Sequence, residues 1–308
     1  MQSALDPAGA QAVAIDRLGW IMIVAGALIF LLVLALTAWA IYAPERSRAW
    51  LGSRAMVVWG GIVFPVVALA ALLLYGLAVA ADIVGAPGES PLRIEVIGER
   101  WWWRVHYLAE NGGAAIISAN EVRIPVGRSV EFILSSHNVI HSFWAPSLGG
   151  KLDMIPGRET RLVLEAERPG IYRGQCAEYC GGQHALMAFP VVALEAGDFE
   201  RWLAANAEPA PTPANETEAR GQAIFSSFGC GACHTIAGTE AAGIIGPDLT
   251  HIGGRLTLAA GTLPNNPRNM EKWIAGSQAI KPDNLMPSYS MLAPEDLAAL
   301  AAYLESLR

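Results

Sequence analysis

Positive charge and cysteine are both scarce in this 308-residue chain. It has 21 lysines and arginines against 28 aspartates and glutamates, which gives a net charge of −7. Nucleic-acid-binding domains are usually basic, so this balance argues against a nucleic-acid partner. The four cysteines form two close pairs, Cys176/Cys180 and Cys230/Cys233. In a chain of this length such pairs indicate two ligand or attachment sites rather than a disulfide framework.

Charge is missing altogether from two long apolar runs, Trp20–Ile41 and Met56–Ala81. Each run has about the 20 residues needed to cross a bilayer. An uncleaved signal peptide is the alternative for the first run, but the run is too long for a signal core and a second run follows it. We therefore expect two transmembrane helices within residues 19–82 and contact with a lipid bilayer.

The loop between the two runs carries Arg46, Arg48 and Arg54 against a single acid, Glu45. By the positive-inside rule this loop is cytoplasmic, and both chain ends lie on the other side. Residues 1–18 then form an N-terminal outer segment. In a bacterium the chain is a multi-pass protein of the inner (plasma) membrane with its soluble domains in the periplasm.

Short segments of alternating polarity occupy residues 90–204 and predict a β domain. The clearest segments are Arg93–Ile97, Ser129–Leu134, Arg161–Glu165 and Val191–Leu194. The turn signals between them are Gly112–Gly113, Pro125–Gly127, Gly149–Gly150, Pro156–Gly157 and Pro169–Gly170. This spacing is typical of an all-β sandwich or Greek-key barrel.

One loop of this domain, Gln175–Met187, is rich in soft metal ligands. With one histidine from farther upstream, its candidate ligands are Cys176, Cys180, His184, Met187 and His141. Thiolates and a thioether combined with imidazoles favour copper over hard cations, and a Cys-x3-Cys loop can direct both sulfurs to a shared pair of metal ions. A structural zinc site, which rarely uses methionine, and a disulfide are the alternatives.

A second site follows a linker rich in proline and alanine at residues 205–217. A helical pattern from Glu218 to Phe228 leads into Cys230-Gly-Ala-Cys-His234. Cys-x-x-Cys-His is the attachment signature of c-type haem, in which Cys230 and Cys233 form thioethers and His234 becomes the proximal iron ligand. A redox-active dithiol is the alternative. The motif stands at the head of residues 218–308, as in an all-α class I cytochrome c domain.

The sixth iron ligand should be a methionine or a second histidine. The candidates are Met270, Met286, Met291 and His251. Met286 is favoured because it lies in an irregular loop before the final helix, and loops can bring a ligand onto a metal. That loop resembles the distal methionine loop of class I cytochromes. The segment Gly246–Leu249 resembles the one whose proline carbonyl accepts a hydrogen bond from the proximal histidine.

Several motifs together resemble subunit II of cytochrome c oxidase, here with a cytochrome c domain fused to it as in the caa-type oxidases. The matching stretches are Glu99–Arg104, His141–Gly149, Ile155–Arg158 and Gln175–Met187. The resemblance implies a two-helix transmembrane hairpin, a cupredoxin-like domain and a binuclear copper centre, CuA. The ligands that it implies are His141, Cys176, the carbonyl of Glu178, Cys180, His184 and Met187. It also implies that the Glu178 side chain faces a magnesium site shared with subunit I.

Three consecutive tryptophans lie in the stretch Glu99–Arg104. On a strand, Trp101 and Trp103 face one way and Trp102 the other, so one face is outside or at an interface. Core packing alone is the simpler interpretation. The resemblance places an exposed aromatic here as the point where electrons enter, and we assign that role to Trp101.

The function that follows is that of an oxidase subunit. Electrons pass from an external donor such as cytochrome c through haem c and CuA to the haem–copper centre of subunit I, where oxygen is reduced to water and protons are pumped. Subunits I and III are the expected partners. The alternative is a membrane-anchored electron carrier for another reductase, such as a nitric oxide reductase. The family often has an acidic residue at the start of the second span, whereas Arg54–Trp59 has none.

Overall fold

The computed structural model describes residues 3–83, 92–109 and 114–308. The turn predicted at Gly112–Gly113 lies outside these residues. The described chain divides into two compact units. One contains the residues up to Ala12 together with those from Leu92 onward, and the other runs from Val13 to Ile83.

The second unit is helical, with short non-helical connections between its helices. Its elements, including the start of the first helix, are α1 (Ala10–Tyr42), α2 (Glu45–Arg48), a 3-10 turn (Ala49–Gly52), α3 (Arg54–Val58), a π-helical turn (Trp59–Val63) and α4 (Phe64–Ile83). By length and composition, α1 and the stretch Arg54–Ile83 can each cross a membrane, as predicted. Helix α1 begins about ten residues before its apolar run, because the preceding segment is rich in alanine, the strongest helix former.

The chain before Val13 packs on the β domain. Ala8 is 1% exposed. Its N–H donates to the carbonyl of Ser147 at 2.7 Å, and its carbonyl accepts from the N–H of Glu167 at 2.8 Å. This N-terminal segment therefore belongs to the β domain rather than standing free as an outer extension.

Two five-stranded sheets form the β domain. The strands are β1 (Leu92–Glu99), β2 (Trp102–Leu108), β3 (Ala114–Ala119), β4 (Val122–Pro125), β5 (Val130–Ser136), β6 (His141–Trp144), β7 (Leu152–Met154), β8 (Thr160–Leu164), β9 (Gly170–Cys176) and β10 (Ala188–Leu194). Their orders are β3-β2-β1-β5-β8 and β4-β10-β9-β6-β7. The pairs β1/β5 and β4/β10 are parallel, and the other pairs are antiparallel. The predicted all-β, cupredoxin-like class is confirmed.

Aromatic side chains from both sheets fill the core between them. Phe143 and Phe189 stack with ring centroids 4.5 Å apart, and Trp103 meets Phe189 edge-on at 5.0 Å. Alternate residues of β2 are buried, which is the period-2 pattern of a strand with one face inward. Cys176 and Met187 belong to the same buried cluster, so the ligand loop lies directly on the core.

The haem-motif domain is helical. Its elements, with the helix that leads into it, are α5 (Ala196–Asn206), α6 (Glu216–Ser227), α7 (Pro267–Ile280), α8 (Pro294–Ser306) and a small hairpin, β11 (Thr257–Leu258) with β12 (Leu263–Pro264). Asn215 caps α6 by accepting from the N–H of Glu218. Phe225 of α6 packs against Tyr303 of α8, so the first and last helices of this domain lie against each other.

The β domain and the helical domain share a hydrogen-bonded junction. The N–H of Ala188 donates to the carbonyl of Ala260 at 2.9 Å, and the N–H of Leu256 donates to Oε2 of Glu121 at 2.7 Å. Ala260 is fully buried and is part of the β-domain core. The two domains therefore meet through backbone as well as side-chain groups.

Candidate metal centres

The two thiols of the ligand loop face each other. Cys176 ends β9, and its Sγ lies 3.7 Å from Sγ of Cys180. All four cysteines of the chain carry free thiols. His141 begins β6, is fully buried, and places Nδ1 3.8 Å from Sγ of Cys176. The strand pairing between β6 and β9 thus delivers the upstream histidine to the loop.

The remaining predicted copper ligands approach the same sulfurs. Nδ1 of His184 lies 3.6 Å and Sδ of Met187 lies 3.9 Å from Sγ of Cys180. The carbonyl oxygen of Glu178 lies 3.2 Å from Sγ of Cys176. The structure therefore brings all six sequence-predicted residues together, and such a set of soft sulfur and imidazole donors fits copper.

Gly98 makes room for His141. A Cβ at this position would lie 2.6 Å from Cδ2 of His141, closer than side chains tolerate. Strand β1 therefore needs a residue without a side chain where it passes the imidazole. This glycine was not predicted to matter, since its sequence context gives no sign of a partner some forty residues away.

The thiols are electronically unequal. The hydrogen bond from the Cys180 thiol lowers the pKa of Cys176, although burial acts in the opposite direction. The same bond, together with burial, raises the pKa of Cys180. The lowered pKa of Cys176 favours its thiolate, and thiolates are the form that binds copper.

The side chain and the carbonyl of Glu178 have different neighbours: the carbonyl lies near Cys176, and the carboxylate lies near Lys151. Its Oε2 lies 3.9 Å from Nζ of Lys151, and both side chains are more than 40% exposed. The magnesium site itself stays a prediction.

A cavity of about 1390 Å³, including its mouth, occupies the helical domain. The predicted haem residues all line it: Cys230, Cys233, His234 and Met286. His234 Nδ1 donates to the carbonyl of Pro247 at 2.7 Å, and burial lowers the pKa of its imidazole. A neutral imidazole oriented through Nδ1 presents Nε2 as a metal ligand.

Met286 sits in a loop held by hydrogen bonds. Its carbonyl accepts from Oγ of Ser277 at 2.8 Å and from Nε2 of Gln278 at 2.7 Å. Its N–H donates to Oδ1 of Asn284 at 2.7 Å. The loop is therefore ordered by its own chain before any metal is bound.

The other candidates for the sixth ligand differ from Met286 in position. Met291 is 70% exposed, and Nε2 of His251 is engaged by the carbonyl of Glu208 at 3.0 Å. Met270 is buried and lines the cavity from helix α7. The assignment of Met286 stays a prediction, with Met270 as its nearest competitor in space.

Two polar atoms in the cavity wall fit the anionic edge of a haem. Nε of Arg255 and Oγ1 of Thr257 are buried, and within the described residues neither has a hydrogen-bond partner. Haem carries two propionate carboxylates, which accept hydrogen bonds from such groups. The residues present therefore fit the group that the Cys-x-x-Cys-His motif implies.

The position of Trp101 differs from the expected exposed aromatic. Its side chain is only 7% exposed, because the helical domain of the same chain covers it. Its Nε1–H donates to the carbonyl of Cys180 at 2.9 Å, and the indole lines the haem cavity together with Trp102. Trp101 precedes β2 rather than lying in it. The alternation of inward and outward side chains along a strand therefore does not predict which groups surround Trp101.

Lys281 is a further site residue, and sequence reasoning did not identify it. It follows α7, is 3% exposed and lines the haem cavity. Its Nζ donates to the carbonyls of Trp101, Leu186 and Ala259 at 2.7, 2.9 and 3.1 Å. A lysine before a proline at a helix end carries no sequence signal for such a role.

Known families match both soluble domains. The family described as "Cytochrome C oxidase subunit II, periplasmic domain" matches residues 108–195, and the family "Cytochrome c" matches residues 218–308. Cytochrome c oxidase subunit 2 of Alkalihalophilus pseudofirmus is 40% identical over 221 residues, covering 72% of this chain and 63% of the relative. The Bacillus subtilis protein of the same name is 31% identical over 237 residues, covering 74% and 65%.

The chain thus spans slightly less than two thirds of the length of these relatives. Among solved structures, the periplasmic domain of subunit II of cytochrome oxidase from Bradyrhizobium japonicum is 28% identical. It covers 39% of this chain and 96% of that domain, with a TM-score of 0.37.

Proposed function

We infer the function from one premise: the chain is a homologue of cytochrome c oxidase subunit II in which a cytochrome c domain follows the periplasmic domain. We propose that it is the electron-transfer subunit of a proton-pumping oxidase. It accepts electrons from an external donor such as cytochrome c and delivers them to the haem–copper centre of subunit I for reduction of oxygen to water. When bound, haem c and binuclear CuA supply the one-electron redox chemistry.

The position of Trp101 carries this proposal. One indole lines the cavity that would hold the haem and donates a hydrogen bond to the carbonyl of Cys180 in the copper loop. The side chains along this line are shielded from water, since Trp101, Cys176 and Cys180 are each less than a tenth exposed. A shielded, fixed contact favours electron transfer within the chain over entry of electrons at an exposed Trp101.

The site residues divide into two groups in this proposal. Copper is held by His141, Cys176, the carbonyl of Glu178, Cys180, His184 and Met187. Haem is attached to Cys230 and Cys233 and ligated by His234 and Met286. The carboxylate of Glu178 faces outward from the copper loop, where it contributes to a magnesium site shared with subunit I.

Helix α1 and the stretch Arg54–Ile83 anchor the chain in the bacterial inner membrane, with both soluble domains in the periplasm. Subunits I and III are the proposed membrane partners. The start of the second span lacks an acid from Arg54 to Trp59, so any proton channel of subunit I that opens there is bounded by other groups.

Purification of the tagged chain in mild detergent tests the assignment. We expect a large multispan haem protein to co-purify, and the preparation to consume oxygen when reduced donor is added. A chain that purifies without this partner, or that turns over nitric oxide only, would contradict the oxidase assignment.

Spectra of the same preparation test the two centres separately. We expect a c-type haem absorption band and the electron paramagnetic resonance (EPR) signal of a mixed-valence copper pair. Absence of the haem band would remove the upstream half of the proposal, and absence of the copper signal would remove the downstream half.

A further inference from the structure

Lys281 has an unusual environment for a charged side chain. It is 3% exposed, and among the described residues no carboxylate forms an ion pair with it. An isolated buried ammonium is strongly unfavourable unless hydrogen bonds replace its water shell. Here all three N–H donors of the ammonium are used, each on a backbone carbonyl.

The three carbonyls come from three different parts of the electron-transfer region. Trp101 lines the haem cavity from the β domain, and Leu186 lies in the copper loop one residue before Met187. Ala259 belongs to the turn of the β11–β12 hairpin in the helical domain. A single side chain thus joins the haem-cavity wall, the copper loop and the helical domain.

Lys281 is also connected to the loop that carries the predicted distal ligand. Its carbonyl accepts from Nδ2 of Asn284 at 2.6 Å, and Oδ1 of Asn284 accepts from the N–H of Met286 at 2.7 Å. A continuous set of hydrogen bonds therefore runs from the Met286 loop through Lys281 to Leu186.

We propose that Lys281 is a positioning residue for electron transfer, whose ammonium holds the haem domain against the copper loop. The effect on electron transfer rests on the proposed function, whereas the hydrogen bonds of Lys281 do not depend on it. Other hydrogen bonds also join the two domains, such as those from the N–H of Ala188 to Ala260 and from the N–H of Leu256 to Glu121. Lys281 Nζ joins the carbonyls of Trp101 and Leu186, whereas Thr262 Oγ1 reaches only the Leu186 carbonyl, at 3.4 Å. Small displacements of reacting groups slow reactions by about tenfold to a hundredfold.

Replacement of Lys281 by leucine in the full chain tests the proposal, with Lys272→Leu as control. Lys272 is exposed and lies in α7, the helix that Lys281 directly follows. Amide hydrogen exchange is measured at the junction amides of Ala188 and Leu256, and at the amide of Tyr289, which donates to the carbonyl of Ile274 within the helical domain. We expect exchange of the junction amides to accelerate by about tenfold to a hundredfold in Lys281→Leu, with Tyr289 unchanged.

Two results would overturn the proposal. Junction amides that exchange as slowly as in the control would show that Lys281 does not hold the domains together. Equal acceleration at Tyr289 would show that Lys281 only stabilises its own domain. If Lys281→Leu does not fold, Lys281→Gln takes its place, since glutamine keeps two donors on a shorter side chain. We then expect a partial acceleration of exchange at the junction amides. No acceleration at these amides would also overturn the proposal.

The effect on the distance between the two centres is measured by EPR of the chain that carries both haem and copper. Oxidised haem speeds the magnetic relaxation of a nearby copper pair, so relaxation reports their separation. We expect the relaxation of the copper signal to become slower in Lys281→Leu, with the line shapes of both centres retained. A wild-type chain without the copper or haem signal would count against the proposed function alone, since hydrogen exchange decides the role of Lys281 independently.

Discussion

The copper loop lies on a finished hydrophobic core, whereas the haem residues line a cavity of about 1390 Å³. The loop sulfurs are already within 3.7 Å of each other, and His141 is fixed by a strand pair. The cavity lies beside the apolar core of the helical domain and is lined by residues of both domains. Strand pairing and core packing thus position the copper-loop residues, whereas the haem residues are arranged around a space that a haem would fill.

Removal of both haem attachment points should have the largest effect on this difference between the two domains. We expect Cys230→Ser combined with Cys233→Ser to unfold the helical domain, a loss of stability on the order of 5–15 kcal/mol, because the haem that these cysteines would hold is expected to pack against the core of this domain. Loss of helical signal in circular dichroism measures it. The matched variant Cys176→Ser should lose the copper signal and keep the β sandwich folded; unfolding of both domains in both variants would refute the contrast.

Replacement of Met286 tests whether a single iron ligand contributes to the stability of the helical domain. Met286→Ala should abolish the methionine–iron charge-transfer band and destabilise the domain by about 2 kcal/mol, through lost packing and a lost ligand. Absorption spectroscopy in the near-infrared region checks the band, with Met291→Ala as the exposed control. A band that survives in Met286→Ala and disappears in Met270→Ala would transfer the role to Met270.

Gly98 tests how rigid the copper region is. Gly98→Ala places a Cβ against His141, and we expect it to destabilise the β domain by about 1–3 kcal/mol and to weaken copper binding. Copper titration followed by EPR measures the affinity. Gly182→Ala is the control, since its Cβ would lie in the copper loop and meet only Oδ2 of Asp283, at 4.0 Å. Equal affinity in both variants would mean that the imidazole moves freely.

Trp101→Phe should have the smallest effect. The variant keeps an aromatic ring in the haem-cavity wall but loses the hydrogen bond to the carbonyl of Cys180, which contributes about 0.5–1.5 kcal/mol. We expect a small fall in melting temperature of the β domain and slower reduction of the copper after photoreduction of the haem. A rate equal to that of the wild type would indicate that the bond to Cys180 is not used.

The local parts of both sites could be predicted from sequence. The copper loop and the Cys-x-x-Cys-His motif each lie within a dozen residues, so their spacing alone identifies the chemistry. His141 was also predicted, because the resemblance supplied what spacing could not. The membrane runs were predicted from composition, although α1 begins earlier than its apolar run.

The contacts between domains could not be predicted in the same way. Lys281 and Trp101 are separated by 180 positions, and their contact depends on how the two domains dock. Hydrophobic periodicity describes one element at a time, and the exposed position that the resemblance implied for Trp101 is covered in the structure by the helical domain. Ala8 is a similar case, since nothing in the N-terminal segment indicates that its backbone joins the β domain.

The segment between α5 and α6, from Ala207 to Asn215, gives the junction a kinetic property that contacts alone would not. Its proline-rich chain keeps the helical domain near the β domain at an effective concentration of about millimolar, however dilute the protein is. Docking is therefore a first-order process. Raising the amount of protein would not speed it, dilution would not slow it, and a handful of modest hydrogen bonds is enough to keep the two domains engaged.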